Sequence, residues 1–106
     1  MITQSERAEI ALCETGEFDL ATVLHALSDP IRLRIVSELA CGGERSCGAF
    51  KLPITKSTSS HHFRVLREAG VISTRVEGKS RINVLRRGEL DARFPGLLDA
   101  ILHAQA

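Results

Sequence analysis

The chain has 106 residues, enough for one domain, and 43% of them are hydrophobic, as in an ordinary globular protein with a small core. It contains no apolar run long enough to span a membrane, and its first residues lack the basic and apolar segments of a signal peptide. Three cysteines, an odd number, are untypical of a secreted disulfide scaffold. We therefore expect a cytoplasmic protein.

Charge is distributed unevenly along the chain, although the formal net charge is only +1. Residues 51–87 contain nine lysines and arginines but two acids, which gives this block +7 and the rest of the chain −6. A basic block of this size is typical of a protein that binds a polyanion such as nucleic acid. The alternative is a solvated basic surface without a partner.

Two helices begin the predicted domain, residues 19–106, which follows an N-terminal extension at 1–18. Apolar residues recur at helical spacing from Leu20 to Leu27, and Asp19 can cap this first helix. Asp29 fits the N-cap of a second helix with Pro30 at its first position, and a glycine pair ends that helix.

The next segment predicts a short helix, a tight turn and a longer helix. Ser46 to Leu52 can form the short helix. The longer helix runs from Thr55, its N-cap, to Ala69, and Gly70 stops it. This arrangement is a helix-turn-helix, whose second helix lies in the major groove of DNA.

Adjacent histidines, His61 and His62, face opposite sides of the longer helix, because each residue advances an α-helix by about 100°. They cannot share a metal ion, which on a helix requires i, i+4 spacing. We expect His62 to face inward and to hydrogen-bond a backbone group. No acid–base dyad or phosphate-binding glycine loop accompanies them, so we expect neither an enzyme nor a cofactor.

The outer face of this helix combines short hydroxyl side chains with basic side chains, as a helix in the major groove requires. The residues of this helix expected at DNA are Thr55, Lys56, Ser57, Thr58, Ser60, His61 and Arg64.

The period then changes from helical to alternating. Val71–Val76 and Arg81–Arg86 predict a two-stranded hairpin around a glycine turn. Its bases Arg75, Lys79 and Arg81 are expected at DNA phosphates. A last apolar stretch restarts a helix at Pro95, so the predicted fold is mainly α with a β-hairpin wing, in the order ααααββα.

Three segments in this order, ALSDPIRLRIVSEL, SSHHFRVLREAGVI and TRVEGKSRINVL, resemble the ArsR family of winged helix-turn-helix repressors of bacteria and archaea. The resemblance runs from about Asp19 to Leu102. It implies a homodimeric repressor that binds inverted-repeat operators in double-stranded DNA and pairs its subunits through the first and last helices. The apolar residues that this places at the interface are Leu20, Val23, Leu24, Leu97, Leu98, Ile101 and Leu102.

Many members of the family release DNA when a metal, a metalloid or a thiol oxidant reaches them, but their metal sites are not matched here. The family signature Glu-Leu-Cys-Val-Cys-Asp corresponds to Glu44–Ala49, where Cys47 falls between the two lost cysteine positions. The last helix retains only Asp99 and His103 as metal ligands, which is too few for a zinc or nickel site.

Three hypotheses remain for the thiols of Cys13, Cys41 and Cys47. They are small apolar residues without a regulatory role, or Cys41 and Cys47 form a disulfide across the glycine pair, or all three bind trivalent arsenic.

Two classes of function also remain, a sequence-specific repressor and a winged-helix module for protein contacts. A protein-binding wing is expected to expose apolar residues, whereas this hairpin carries bases, which favours DNA.

Overall fold

A computed structural model describes residues 18–105, and Cys13 therefore lies outside the described residues. In this part of the chain, α-helices and a three-stranded antiparallel sheet form a winged-helix fold, which confirms the predicted fold class. The elements are, in chain order, α1 (Leu20–Ala26), α2 (Pro30–Gly42), β1 (Arg45–Ser46), a 3-10 turn (Cys47–Ala49), α3 (Lys56–Glu68), β2 (Ile72–Glu77), β3 (Ser80–Leu85), α4 (Arg87–Arg93) and α5 (Leu97–Gln105). None of the helices in this range is long and apolar enough to cross a membrane.

The predicted starts of the first, second and recognition helices are confirmed. The side chains of Asp19, Asp29 and Thr55 each accept a hydrogen bond from a backbone N–H of the first turn, at 3.0, 2.8 and 3.3 Å. Each bond satisfies an amide that the helix itself cannot pair. Gly70, at φ +84°, follows α3 in a conformation that other residues rarely adopt, so the helix ends where predicted.

The predicted short helix over Ser46–Leu52 is wrong for most of its length. The chain instead forms β1 beside the middle of β3, and only Cys47–Ala49 make a helical turn, of the 3-10 type. Asn83 of β3 holds β1 in place, because it is fully buried and its amide donates to the Arg45 carbonyl at 3.3 Å. Gly48 also disfavours a helix here.

The hairpin is confirmed, with strands that lie within one residue of the predicted bounds. The chain between the hairpin and α5 was not predicted to be helical, but it forms α4. Leu90 anchors this helix in the core, and Arg87 pairs with Asp91 at 3.6 Å, one turn away. The last helix begins at Leu97 rather than at Pro95.

One hydrophobic core joins α1, α2, α3, the wing and the two C-terminal helices. Its most deeply buried members are Val23, Ala26, Ile35, Val36, Leu39, Phe63, Leu66, Val71, Ile72, Leu90 and Leu98. Phe18, predicted to belong to the N-terminal extension, is also buried: its ring packs edge-on against Phe94, 6.2 Å between centroids, and the Arg86 guanidinium lies 4.9 Å from its centroid.

Two residues predicted at the dimer interface are part of this core. Val23 is 1% exposed and Leu98 is 3% exposed within the single chain. Their side chains are already packed against their own subunit, because each lies on the inward side of its helix. They therefore stabilise the subunit and offer no surface to a partner.

Candidate nucleic-acid interface

The outer face of α3 is polar and open to solvent. The residues predicted at DNA on this helix are all exposed: Lys56, Ser57, Thr58, Ser60, His61 and Arg64. The hydroxyl of Thr55 caps the helix and donates a hydrogen bond to Thr58 Oγ1 at 3.0 Å, so Thr55 fixes the start of this face. The N-terminal half of the face presents short hydroxyl side chains, which allow a helix to approach a DNA groove closely.

The inner face of α3 is buried, and the predicted separation of the two histidines is confirmed. His61 is exposed, whereas His62 is buried beside Phe63. The predicted backbone partner of His62 is wrong, because its Nδ1 lies 3.0 Å from Nη1 of Arg32 on α2. The recognition helix is thus held to α2 by a side-chain contact.

The wing presents two bases at or near its turn. Lys79 and Arg81 are exposed, and Gly78, at φ +61°, makes the tight turn beside them. Among the described residues, neither base is ion-paired with a carboxylate. Both are therefore available to a phosphate.

Arg75, the third predicted wing base, is already paired. Its guanidinium donates to Glu44 at 2.6 Å and to Glu77 at 2.7 Å. The hydrogen bond from Arg75 and its positive charge lower the pKa of Glu44, and hydrogen bonds to the two acids raise the pKa of Arg75. Arg75 thus carries no uncompensated charge in the free protein, and Glu44, which lies 31 residues earlier, was not predicted near the wing.

A groove of about 860 Å³ separates α3 from the wing turn, and bases from both elements line it. Lys56 and Arg67 contribute from the helix, and Lys79 and Arg81 from the wing. Arg67 was not predicted at this site, although it follows Ser60 by seven residues, or two helical turns, and so lies on the same side. Its position adds a fourth cation to a groove whose lining residues, among those described, include no acid.

Buried hydrogen bonds set the position of the wing relative to the helix-turn-helix. Asn83 on β3 accepts a hydrogen bond from Thr74 Oγ1 at 2.8 Å, and its amide donates to the Arg45 carbonyl and to Cys47 Sγ at 3.3 and 3.2 Å. One side chain therefore joins both wing strands to the segment that leads into α3.

Cys41 is exposed near the end of α2, and Cys47 is half-buried against Asn83; both are free thiols. In residues 18–105, no group of three or more histidine, cysteine or acidic side chains could hold a metal ion. The Cys41–Cys47 disulfide and the three-thiol arsenic site therefore stay predictions.

Apolar side chains also remain on the surface of α1. Leu20 and Leu24 are 47% and 44% exposed and lie one turn apart. Leu97, Ile101 and Leu102 of α5 are half-buried, and Ile101 and Leu102 pack in part against the core.

Comparison with known proteins gives consistent matches. Residues 27–75 match the model of a helix-turn-helix domain. An uncharacterised HTH-type transcriptional regulator of Bacillus subtilis, YceK, is 39% identical over 76% of this chain and 84% of its own length. The arsenical resistance operon repressor of Staphylococcus xylosus is 34% identical over 69% of this chain and 71% of its own length. Among solved structures, the transcriptional repressor BigR from Xylella fastidiosa matches with a TM-score of 0.59 and 32% identity, covering 71% of this chain and 85% of that one.

Proposed function

Because the chain belongs to the ArsR family of helix-turn-helix transcriptional regulators, we propose that it is a homodimeric repressor that binds an inverted-repeat operator. The observation that carries the proposal is the groove between α3 and the wing, where lysine and arginine side chains from both elements line the same space. When a recognition helix enters the major groove, basic side chains arranged in this way can contact the phosphates beside that groove. The proposal places the protein in the cytoplasm with the DNA and assigns it no catalytic activity.

The exposed face of α3 divides into two functions. Ser57, Thr58, Ser60 and His61 are proposed at or beside base edges, since their side chains are short or carry ring nitrogens that can hydrogen-bond bases. The proposed phosphate contacts are made by the lysine and arginine side chains of Lys56, Arg64, Arg67, Lys79 and Arg81.

The proposed dimer interface consists of Leu20 and Leu24 on α1, with contributions from Leu97, Ile101 and Leu102 on α5. Leu20 and Leu24 are the large apolar residues that remain most exposed outside the wing, among those described. A two-fold axis through this surface would present two α3 helices to half-sites about one helical turn of DNA apart, or a multiple of it.

Arg81→Ala tests the phosphate contacts. We expect weaker binding to both specific and nonspecific duplexes, and a plot of log affinity against log salt that is flatter by about one unit, because one phosphate contact fewer releases fewer counterions. Binding is measured by fluorescence anisotropy on a duplex selected from random sequence. Arg93→Ala, which removes the same charge from α4, is the matched control and should leave the slope unchanged. Failure of the wild type to select or shift any duplex would exclude DNA as the partner.

Glu44→Gln tests whether Arg75 is restrained by its acidic partners. Removing this carboxylate leaves Arg75 with Glu77 alone, so we expect tighter DNA binding and a salt slope up to about one unit steeper. Glu89→Gln changes the net charge equally at an exposed site on α4. Equal gains from both variants would show that only net charge matters and would contradict a local effect on Arg75.

A protein-interaction module is the alternative function, and Val76 is the observation that bears on it. This wing residue is 71% exposed. It stands between Arg75 and Glu77 and opposite Arg81, so it is a single apolar side chain in a charged surface. Isolated apolar residues are normal on protein surfaces and do not form a docking patch.

A further inference from the structure

Arg32 is a buried basic residue that makes none of the proposed contacts with DNA. Its side chain is 7% exposed, whereas arginine is almost never buried unless it is paired. Nε donates to the Ala26 carbonyl at 2.6 Å, Nη2 to the His25 carbonyl at 3.3 Å, and Nη1 to His62 Nδ1 at 3.0 Å. A single guanidinium therefore connects the C-terminal end of α1, the first turn of α2 and the recognition helix.

The contact with Arg32 requires a lone pair on Nδ1 of His62. A guanidinium has donors only, so Nδ1 can accept this hydrogen bond only while that nitrogen carries no proton. Charged or titratable groups near the ring include Asp29, whose Oδ2 lies 3.8 Å from Nδ1, and His61, whose ring centroid is 5.6 Å away. Asp29 also caps α2, and its carboxylate already accepts from two backbone amides.

We propose that Arg32 is the positioning residue of the recognition helix, and that protonation of His62 shifts this helix and lowers operator affinity in acid. The proposal rests on the proposed function. A proton on Nδ1 removes the acceptor and places a second positive charge 3.0 Å from Arg32, which favours a turn of the ring toward Asp29. His62 directly follows His61 on α3, so a movement of its backbone shifts the face that meets the bases.

A dimer amplifies such a shift. Two recognition helices must match two half-sites at once, and a small tilt in each changes both the spacing and the angle between them. The effect falls on specific binding, since contacts to phosphates tolerate small displacements and carry no sequence information.

Protonation of His61 works in the opposite direction and must be separated. His61 is exposed on the DNA-facing side of α3, and a positive charge there attracts the polyanion. The experiment therefore measures each variant both with His61 present and with His61→Gln, and the wild type with both histidines is the reference for operator binding. Operator affinity is measured between about pH 7.5 and 5.5, within the interval in which histidine side chains change charge.

Two substitutions of His62 and one of Arg32 test the mechanism. His62→Asn keeps a neutral acceptor near the position of Nδ1 and cannot titrate. His62→Leu removes the acceptor at every pH, and Arg32→Met removes the donor. Circular dichroism and a melting curve at each pH identify the conditions under which each variant is folded.

The His61→Gln protein should lose affinity for its operator by about tenfold or more in acid, a usual size for coupling between two sites, with a smaller loss on a random duplex. His62→Asn should bind well at neutral pH and lose the acid sensitivity. Folded His62→Leu or Arg32→Met should bind weakly throughout. An equal acid response in His62→Asn and its parent would overturn the proposal while leaving operator binding intact. Absence of operator binding by the wild-type protein at every pH, in contrast, would overturn the proposed function.

Discussion

Replacing Leu24 by aspartate is expected to leave the subunit folded but to make it monomeric, with operator affinity at least about a hundredfold lower. Leu24 is 44% exposed, so the substitution disturbs little of the subunit's own core. In a symmetric dimer the change appears twice, and each copy removes the burial of the exposed 44% of Leu24, roughly 0.7–1.3 kcal/mol, and adds a poorly solvated charge. Since 1.4 kcal/mol corresponds to a factor of ten, the dimer should dissociate at concentrations where the wild type remains paired.

Sedimentation velocity and operator binding measured on the same preparations check this result. Ala21→Asp adds the same charge to an exposed position of α1, about 60° around the helix from Leu24, and is the matched control. It should remain dimeric, or be weakened far less. A dimeric Leu24→Asp protein would show that the interface lies elsewhere, and a monomeric wild type that binds DNA tightly would remove the dimer from the proposal.

Replacing Asn83 by leucine is expected to lower the free energy of unfolding by about 2–3 kcal/mol. Leucine has a similar shape but cannot hydrogen-bond, so the Arg45 carbonyl and the Thr74 hydroxyl both lose their partner. A polar group left without a hydrogen-bond partner in the interior lowers the free energy of unfolding by about 1–3 kcal/mol. The loss of stability is measured by urea denaturation, and operator affinity should also fall because the wing is no longer fixed beside α3.

Thr74→Val separates the contributions within this cluster. It removes the hydrogen bond from a half-buried hydroxyl to Asn83 and leaves the bonds to Arg45 and Cys47. Because Oδ1 of the buried Asn83 then loses this donor, we expect a loss of about 1–2 kcal/mol, smaller than that of Asn83→Leu. If Asn83→Leu is as stable as the wild type, the hydrogen bonds of the buried amide do not stabilise the position of the wing.

Local signals in the sequence predicted most of the helices and the wing, because caps, glycine stops and period act over a few residues. Asp19, Asp29 and Thr55 cap the helices as predicted, and Gly70 ends α3. The strand β1 could not be predicted in this way. It has two residues, and its partner in the sheet is the segment around Asn83, 38 residues after Arg45.

The same limit explains the site residues that were misplaced or missed. An apolar stripe shows that a helix face is buried, but not whether its own subunit or another buries each residue, and Val23 and Leu98 are in the subunit core. A Leu98→Asp variant would therefore unfold the subunit rather than report on dimerisation. Arg75 and His62 acquire partners from distant segments, Glu44 and Arg32, that no short-range pattern connects to them.

The pairing of β1 with β3 also affects how the protein folds. The α3 helix can form from local contacts as soon as its residues are available, whereas β1 must wait for Asn83 and its neighbours. Closing a loop of this length has an entropic cost that local helix formation avoids, and such distant pairings slow folding. During synthesis, the recognition helix α3 would therefore leave the ribosome before β3. The DNA-binding surface would be complete only after β3 has emerged and paired with β1.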